Sequence, residues 1–180
     1  MSELSPKPQG VLFIALRHAE PVSRTSMIDD PGLSHGADEA IKQKIEESIK
    51  PKVLGRYVVI TCSSGANRTL QTAEKMKSSL ADASDFIVVH NQIIVEPCFN
   101  EDATIDHWNM VYISTINRLS KLALEGAMAN AKHAPEGGAV IVVSHSPTLA
   151  IIKSRELPEE PKFGNGAYLE DFSFVYTLKH

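Results

Sequence analysis

Three stretches of this chain are apolar at nearly every position: Val11-Leu12-Phe13-Ile14-Ala15-Leu16, Tyr57-Val58-Val59-Ile60-Thr61 and Ala139-Val140-Ile141-Val142-Val143. A strand with one wet face alternates polar and apolar residues, whereas a run without alternation has to be covered on both faces. The segments between the runs carry helical spacing. Ser34 is placed to cap a helix through Glu39, Ile41, Ile45 and Ile49, with Pro51 as its stop. Residues Asn67 to Leu80 set Leu70, Ala73, Met76 and Leu80 near one face, and Ile105 to Ala131 repeats Trp108, Tyr112, Ile116, Leu119 and Ala123. Phe86–His90 with Ile93–Val95 reads as a third strand. Pro147 opens a short helix through Ile151 and Ile152, and Tyr168–Leu178 gives one or two closing strands. The expectation is an α/β fold: a three-layer α/β/α sandwich around a mostly parallel central sheet. Without repeats or a linker, residues 1–180 read as a single domain, with 1–10 as a flexible N-terminal segment.

Bulk properties narrow the partners. Hydrophobic residues make up 43% of 180, enough for one sizeable core. The net charge of −4 leaves no global basic field for nucleic acid or an anionic membrane, so neither is expected as a partner. The polar, Pro-containing start has no hydrophobic signal core, and no run is long enough to span a bilayer. Two cysteines, Cys62 and Cys98, make neither a disulfide framework nor a zinc motif. The expected location is the cytoplasm, with the nucleus left open. Oligomeric state is not legible.

Chemistry-bearing residues gather where strands end. The first run gives way to Arg17-His18-Ala19-Glu20, the second to Cys62 through Arg68, the third to Glu96-Pro97, and the Ala139 run to Ser144-His145-Ser146-Pro147. In open α/β sheets the carboxyl ends of strands are where ligands bind. Arginine grips phosphate oxygens as a fork, a neutral imidazole can attack phosphorus, and the helix starts near Asn67 and Pro147 offer N–H groups to an anion. Arg24 lies six residues beyond His18, on the loop overhanging the same edge.

The order of these clusters resembles the histidine phosphatase, or phosphoglycerate mutase-like, superfamily, over essentially the whole chain. Its Arg-His-Gly-Glu motif appears as Arg17-His18-Ala19-Glu20, and its "Pro-Leu-Thr, then Gly" element as Pro31 to Gly36. Its Ser-Ser-Pro-Leu-x-Arg-x-x-Gln-Thr-Ala stretch is matched by Ser63 to Ala73, with Gly65-Ala66 in place of Pro-Leu, and its Ser-His-Gly by Ser144-His145-Ser146. Val95-Glu96-Pro97 together with Ala19 is most similar to the phosphatase domain of the suppressors of T-cell-receptor signalling. That branch has an Arg three residues after its nucleophile, where this chain has Pro21. The resemblance implies a phosphoglycerate mutase-like fold and a metal-independent phosphatase without cofactors, acting on a small phosphorylated substrate or a phosphopeptide. It implies His18 as nucleophile, Arg17, Arg68 and His145 on the phosphoryl oxygens, Arg24 as a further phosphate contact, and Glu96 as proton donor to the leaving alcohol. A proton donor favours a mildly acidic optimum.

Three competing readings stay open on the residues alone. Cys62-x-x-Gly65-x-x-Arg68 fits the loop of cysteine-dependent phosphatases, although Thr61 stands where a His is usual and the two Arg/Ser-His clusters would have no task. A phosphoglycerate mutase-type phosphotransferase needs a water-excluding closure, and the end at His180 soon after the last strand favours hydrolysis. A non-catalytic phosphate-binding or protein-interaction module on the same scaffold is the third, although all five principal positions hold competent residues. Gln71 and Thr72 are expected to pack and bond within their helix, Glu20 to brace its loop, and Trp108 and Tyr112 to belong to the core.

Overall fold

The computed structural model describes residues 10–22, 32–63, 66–83, 86–99, 105–161, 163 and 167–178. In chain order the elements are β1 (Gly10–Arg17), α1 (Ala37–Lys44), α2 (Lys50–Val53), β2 (Tyr57–Ser63), α3 (Asn67–Ala81), β3 (Val88–Val89), β4 (Ile94–Glu96), α4 (Ile105–Ala129), β5 (Gly138–Ser144), α5 (Ser146–Glu156) and β6 (Asp171–Thr177). The sheet runs β3-β2-β5-β1-β6, with β4 also paired to β2. Among the described strands, every pairing is parallel except β1 with β6. The three unalternating runs are the three interior strands, as two-sided burial requires.

Successive residues of a strand point to opposite faces, and the core divides accordingly. Val11, Phe13, Val59 and Val140 meet Trp108, Tyr112, Ile116 and Leu119 of α4 and Leu149 and Ile152 of α5. Ile14, Leu16, Val58, Ile60, Ile141 and Val143 meet Ile41 and Ile45 on one side and Ala73, Met76 and Leu80 of α3 on the other. The chain travels toward β3 with its helices on one face and returns toward β6 with them on the other, the winding that right-handed crossovers impose. Trp108 and Tyr112 stack with centroids 4.2 Å apart inside the first of these cores, as expected. Among the described residues, no helix is long and apolar enough to cross a membrane.

Two local expectations need correction. Ser34 contributes its backbone carbonyl to Ala37 N–H, not a side-chain cap; the helix begins at Ala37 with Gly36 as N-cap. Nor does Pro51 stop it. Between α1 and α2 the turn widens to i→i+5 bonding over Ile45–Ile49, and Pro51 falls in the first turn of α2, where its missing N–H costs nothing. The apolar residues explain the widening. Ile41, Ile45, Ile49 and Val53 are all fully buried at a strict spacing of four. On an α-helix that spacing overshoots by about 40° per step, and one wider turn brings the stripe back over the sheet.

Candidate active site

Register alone lines the strand ends up. Arg17 pairs with Ser144, Cys62 with Val143 and Ser63 with Glu96. Arg17, Ser144, Ser63 and Glu96 therefore form one row across the carboxyl rim of β1, β5, β2 and β4. Alternation turns Arg17 to the same face as Phe13 and Ala15, toward α4 and α5. The Ser144 hydroxyl donates to Phe99 O at 2.7 Å on that face. The buried Ser63 hydroxyl makes no hydrogen bond among the described residues.

One step past the row stand the two histidines. His18 N–H donates to Ser144 O at 3.1 Å, fixing the backbone at the end of β1 to β5. The imidazoles of His18 and His145 lie 5.1 Å apart, centroid to centroid, in an edge-on arrangement. Both residues are almost fully buried. His18 Nδ1 is 2.7 Å from Ala19 O. A carbonyl can only accept, so Nδ1 carries the proton and, in the neutral ring, Nε2 keeps its lone pair. His145 is itself the N-cap of α5, and Ala66 that of α3; neither side chain bonds back to its own helix. Both helix starts thus present first-turn N–H groups at the carboxyl rim, where an anion is favoured.

Arg68 is buried in the first turn of α3. Its carbonyl accepts from the Thr72 hydroxyl at 2.6 Å, and that oxygen in turn accepts from Ala19 N–H at 3.0 Å. One hydroxyl so ties the arginine-bearing turn to the residue that orients His18. Gln71 also leaves its helix, accepting from Leu33 N–H at 2.9 Å to hold the 32–33 segment. Thr72 and Gln71 therefore do more than bond within α3.

Glu96 is buried at the end of β4, three strands from β1, and its carboxylate is ion-paired with Arg118 of α4. Strand spacing puts its backbone about 14 Å from that of Arg17. The structure thus sets His18 beside His145, brings Arg17 over the Tyr168 ring that also lies against His18, links the turn of Arg68 to Ala19 through Thr72, and seats Glu96 across the rim under a guanidinium. Arg24 lies outside the described residues, as do Ser64, Gly65 and Pro31.

Cys62 faces the α1/α3 core among Ile60, Ile141 and Val143, fully buried. Burial, reinforced by Glu74, pushes its thiol up to about 11. It stays protonated at neutral pH and turned away from the face that carries Arg17, so a thiolate nucleophile there is disfavoured.

Two residues escape sequence reading. Arg118 is one charge within an apolar-spaced helix, and recognising it requires knowing that β4 packs beneath α4. Tyr168 belongs to a Gly-containing loop before β6, yet its ring lies 5.8 Å from that of His18, and Arg17 Cζ sits 4.5 Å over its face.

Sequence comparison matches no family model and no curated protein. Comparison of structures finds extensive likeness. A mycobacterial hydrolase superimposes with a TM-score of 0.59 at 16% identity, over 92% of this chain and 91% of the other. The phosphoglycerate mutase of Bacillus anthracis str. Sterne gives 0.54 at 14% identity, over 93% and 88%. The protein histidine phosphatase SixA complexed with tungstate gives 0.53 at 12% identity, over 88% and 84%. Likeness at these identities is likeness of fold, and it extends over nearly all of each chain. The resemblance that began with Arg17-His18 and Ser144-His145 thus reaches the architecture: this chain has the histidine phosphatase, or phosphoglycerate mutase-like, fold.

Proposed function

We propose that the protein is a phosphatase that hydrolyses phosphate monoesters, without metal, through a phosphohistidine on His18. One observation carries the reading: the His18 ring, with Nδ1 committed to Ala19 O, keeps its Nε2 lone pair beside His145 at the end of a buried strand. A nucleophile that needs no deprotonation suits phosphoryl transfer, where positioning and charge compensation supply most of the rate.

In the first half-reaction Nε2 attacks phosphorus and the ester P–O bond breaks. Arg17, Arg68, His145 and the N-termini of α3 and α5 hold the equatorial oxygens, with Arg24 assigned to the same task from sequence alone. Substrate draws Arg118 away from Glu96, the freed carboxylate takes up a proton from solvent, and that proton passes to the leaving oxygen as the P–O bond breaks. In the second half-reaction water gives a proton to Glu96 and attacks phosphorus. The P–N bond breaks, releasing inorganic phosphate and restoring neutral His18. The substrate is a small phosphorylated molecule or a phosphopeptide.

Support comes from neighbours of the same fold that are named for such chemistry. SixA is a protein histidine phosphatase complexed with tungstate, an oxyanion of phosphate's shape, and a mycobacterial glucosyl-3-phosphoglycerate phosphatase matches at a TM-score of 0.50 and 16% identity. The test is turnover of p-nitrophenyl phosphate and of an alkyl phosphate by the wild type, His18→Ala and Glu96→Gln. His18→Ala abolishes both activities. Glu96→Gln spares the aryl ester, whose leaving group needs little help, and loses the alkyl ester. Full activity in His18→Ala defeats the reading, and phosphate binding without turnover by the wild type makes the chain a binding module.

A further inference from the structure

We infer that Tyr168 is a positioning residue of this site: its ring holds the Arg17 guanidinium and the His18 imidazole in their working orientations. The inference rests on the phosphatase reading above and concerns a residue that no motif in the sequence marks.

The geometry is specific to this ring. Arg17 Cζ lies 4.5 Å from its centroid, within cation–π range, and the His18 ring is tilted against it at 5.8 Å and 44°. His145 flanks the same imidazole at 5.1 Å. His18 thus has two rings within 6 Å, one just past β5 and one on the loop before β6. A guanidinium stacked on an aromatic face keeps its N–H donors along its edge, directed away from the ring, where phosphate oxygens can take two of them at once.

The backbone holds the ring there deliberately. Residues 167–170 form a turn closed by Glu170 N–H to Ala167 O at 3.3 Å, and Glu170 O accepts from Arg17 N–H at 2.9 Å. The turn is therefore bonded to the very residue its tyrosine stacks on. Leu169 adopts φ = 61°, a left-handed conformation that a leucine avoids, and in doing so buries its side chain in the α1/α3 core. Strain of this kind persists where the surroundings over-determine it, often beside a site. Anchoring Leu169 inward leaves Tyr168, its neighbour, over the rim.

The experiment compares Tyr168→Phe, Tyr168→Leu and Tyr168→Met for aryl-phosphate kcat and KM, for inhibition by inorganic phosphate, and for the ¹⁵N shifts of the His18 ring. All are checked for folding by circular dichroism. Tyr168→Phe keeps the face and stays within about threefold of the wild type, while Tyr168→Leu and Tyr168→Met lose on the order of tenfold or more in kcat and bind phosphate correspondingly less well. They also blur the Nδ1-protonated signature of His18. If one aliphatic variant fails to fold, the other decides. Aliphatic variants matching the wild type in kcat, phosphate inhibition and ¹⁵N shifts overturn the inference. So does Tyr168→Phe losing as much as Tyr168→Leu, which would assign the role to the hydroxyl. Should His18→Ala remain active, the phosphatase reading falls instead; the phosphate-inhibition and ¹⁵N comparison then judges Tyr168 independently.

Discussion

Replacing Thr72 by valine removes one oxygen and tests how the site is braced. In the wild type that oxygen accepts from Ala19 N–H at 3.0 Å and donates to Arg68 O at 2.6 Å, with Thr72 fully buried. Valine fills the same space but leaves the N–H of Ala19, itself buried, without a partner. An unsatisfied buried donor costs about 1–3 kcal/mol. For a chain of this length each kcal/mol moves Tm by about 2–4 °C, so the variant melts about 2–12 °C lower. Ala19 O also receives the His18 Nδ1 proton at 2.7 Å. Loosening Ala19 therefore turns the nucleophile as well, and kcat on an aryl phosphate falls by about tenfold or more while KM changes less. Thermal melting and initial rates on the wild type, Thr72→Val and Thr72→Ser separate the two effects, since serine restores the hydroxyl. If Thr72→Val melts and turns over like the wild type, the bracing argument is wrong.

Other consequences are as specific. Asp171 sits mostly buried between Lys44 and Lys52; burial alone would raise its carboxyl, but the two ammonium partners outweigh it and hold it below the usual 3.8. A carboxyl depressed in the folded state adds stability above its unfolded value, near pH 4, and loses it as pH falls through the folded one. Asp171→Asn therefore lowers Tm at pH 7, and the deficit shrinks below pH 4; a deficit that does not vary with pH contradicts this. Gly126→Ala would ordinarily gain about 1 kcal/mol of helix propensity. Here the new Cβ would lie 2.1 Å from a carbon of the Tyr57 ring, which is hydrogen-bonded to His90 at 2.7 Å and would have to give up that bond to swing aside. Overpacking of about 1–3 kcal/mol wins, and denaturant melts should show net destabilisation. Cys62→Ala keeps activity within a few-fold, and the native thiol, held up to about 11, resists alkylation at pH 7; inactivation by that substitution in a folded protein would revive the cysteine mechanism.

What could be read in advance follows the reach of local physics. Two-sided burial of the three apolar runs implied interior parallel strands, and the layers followed. Positions one step past those runs fell together because parallel register makes strand ends coterminous, so His18 and His145 could be paired from sequence. Side-chain partnerships between layers were not legible. The Arg118–Glu96 pair depends on how α4 crosses β4, and the Tyr168 stack depends on β6 lying antiparallel beside β1, which no spacing reveals. The widened turn before Pro51 follows from the spacing of four only once the position of the sheet beneath it is known. Thr72 looked like an ordinary helix threonine because its second bond spans 53 residues of sequence.

The most direct test of the account is to trap the enzyme during turnover. Rapid quenching with ³²P-labelled substrate, held alkaline and followed by peptide mapping, should find acid-labile phosphate on the peptide containing His18, and none in His18→Ala. Label on the peptide containing Cys62, or turnover with no labelled protein while His18→Ala remains active, would contradict it.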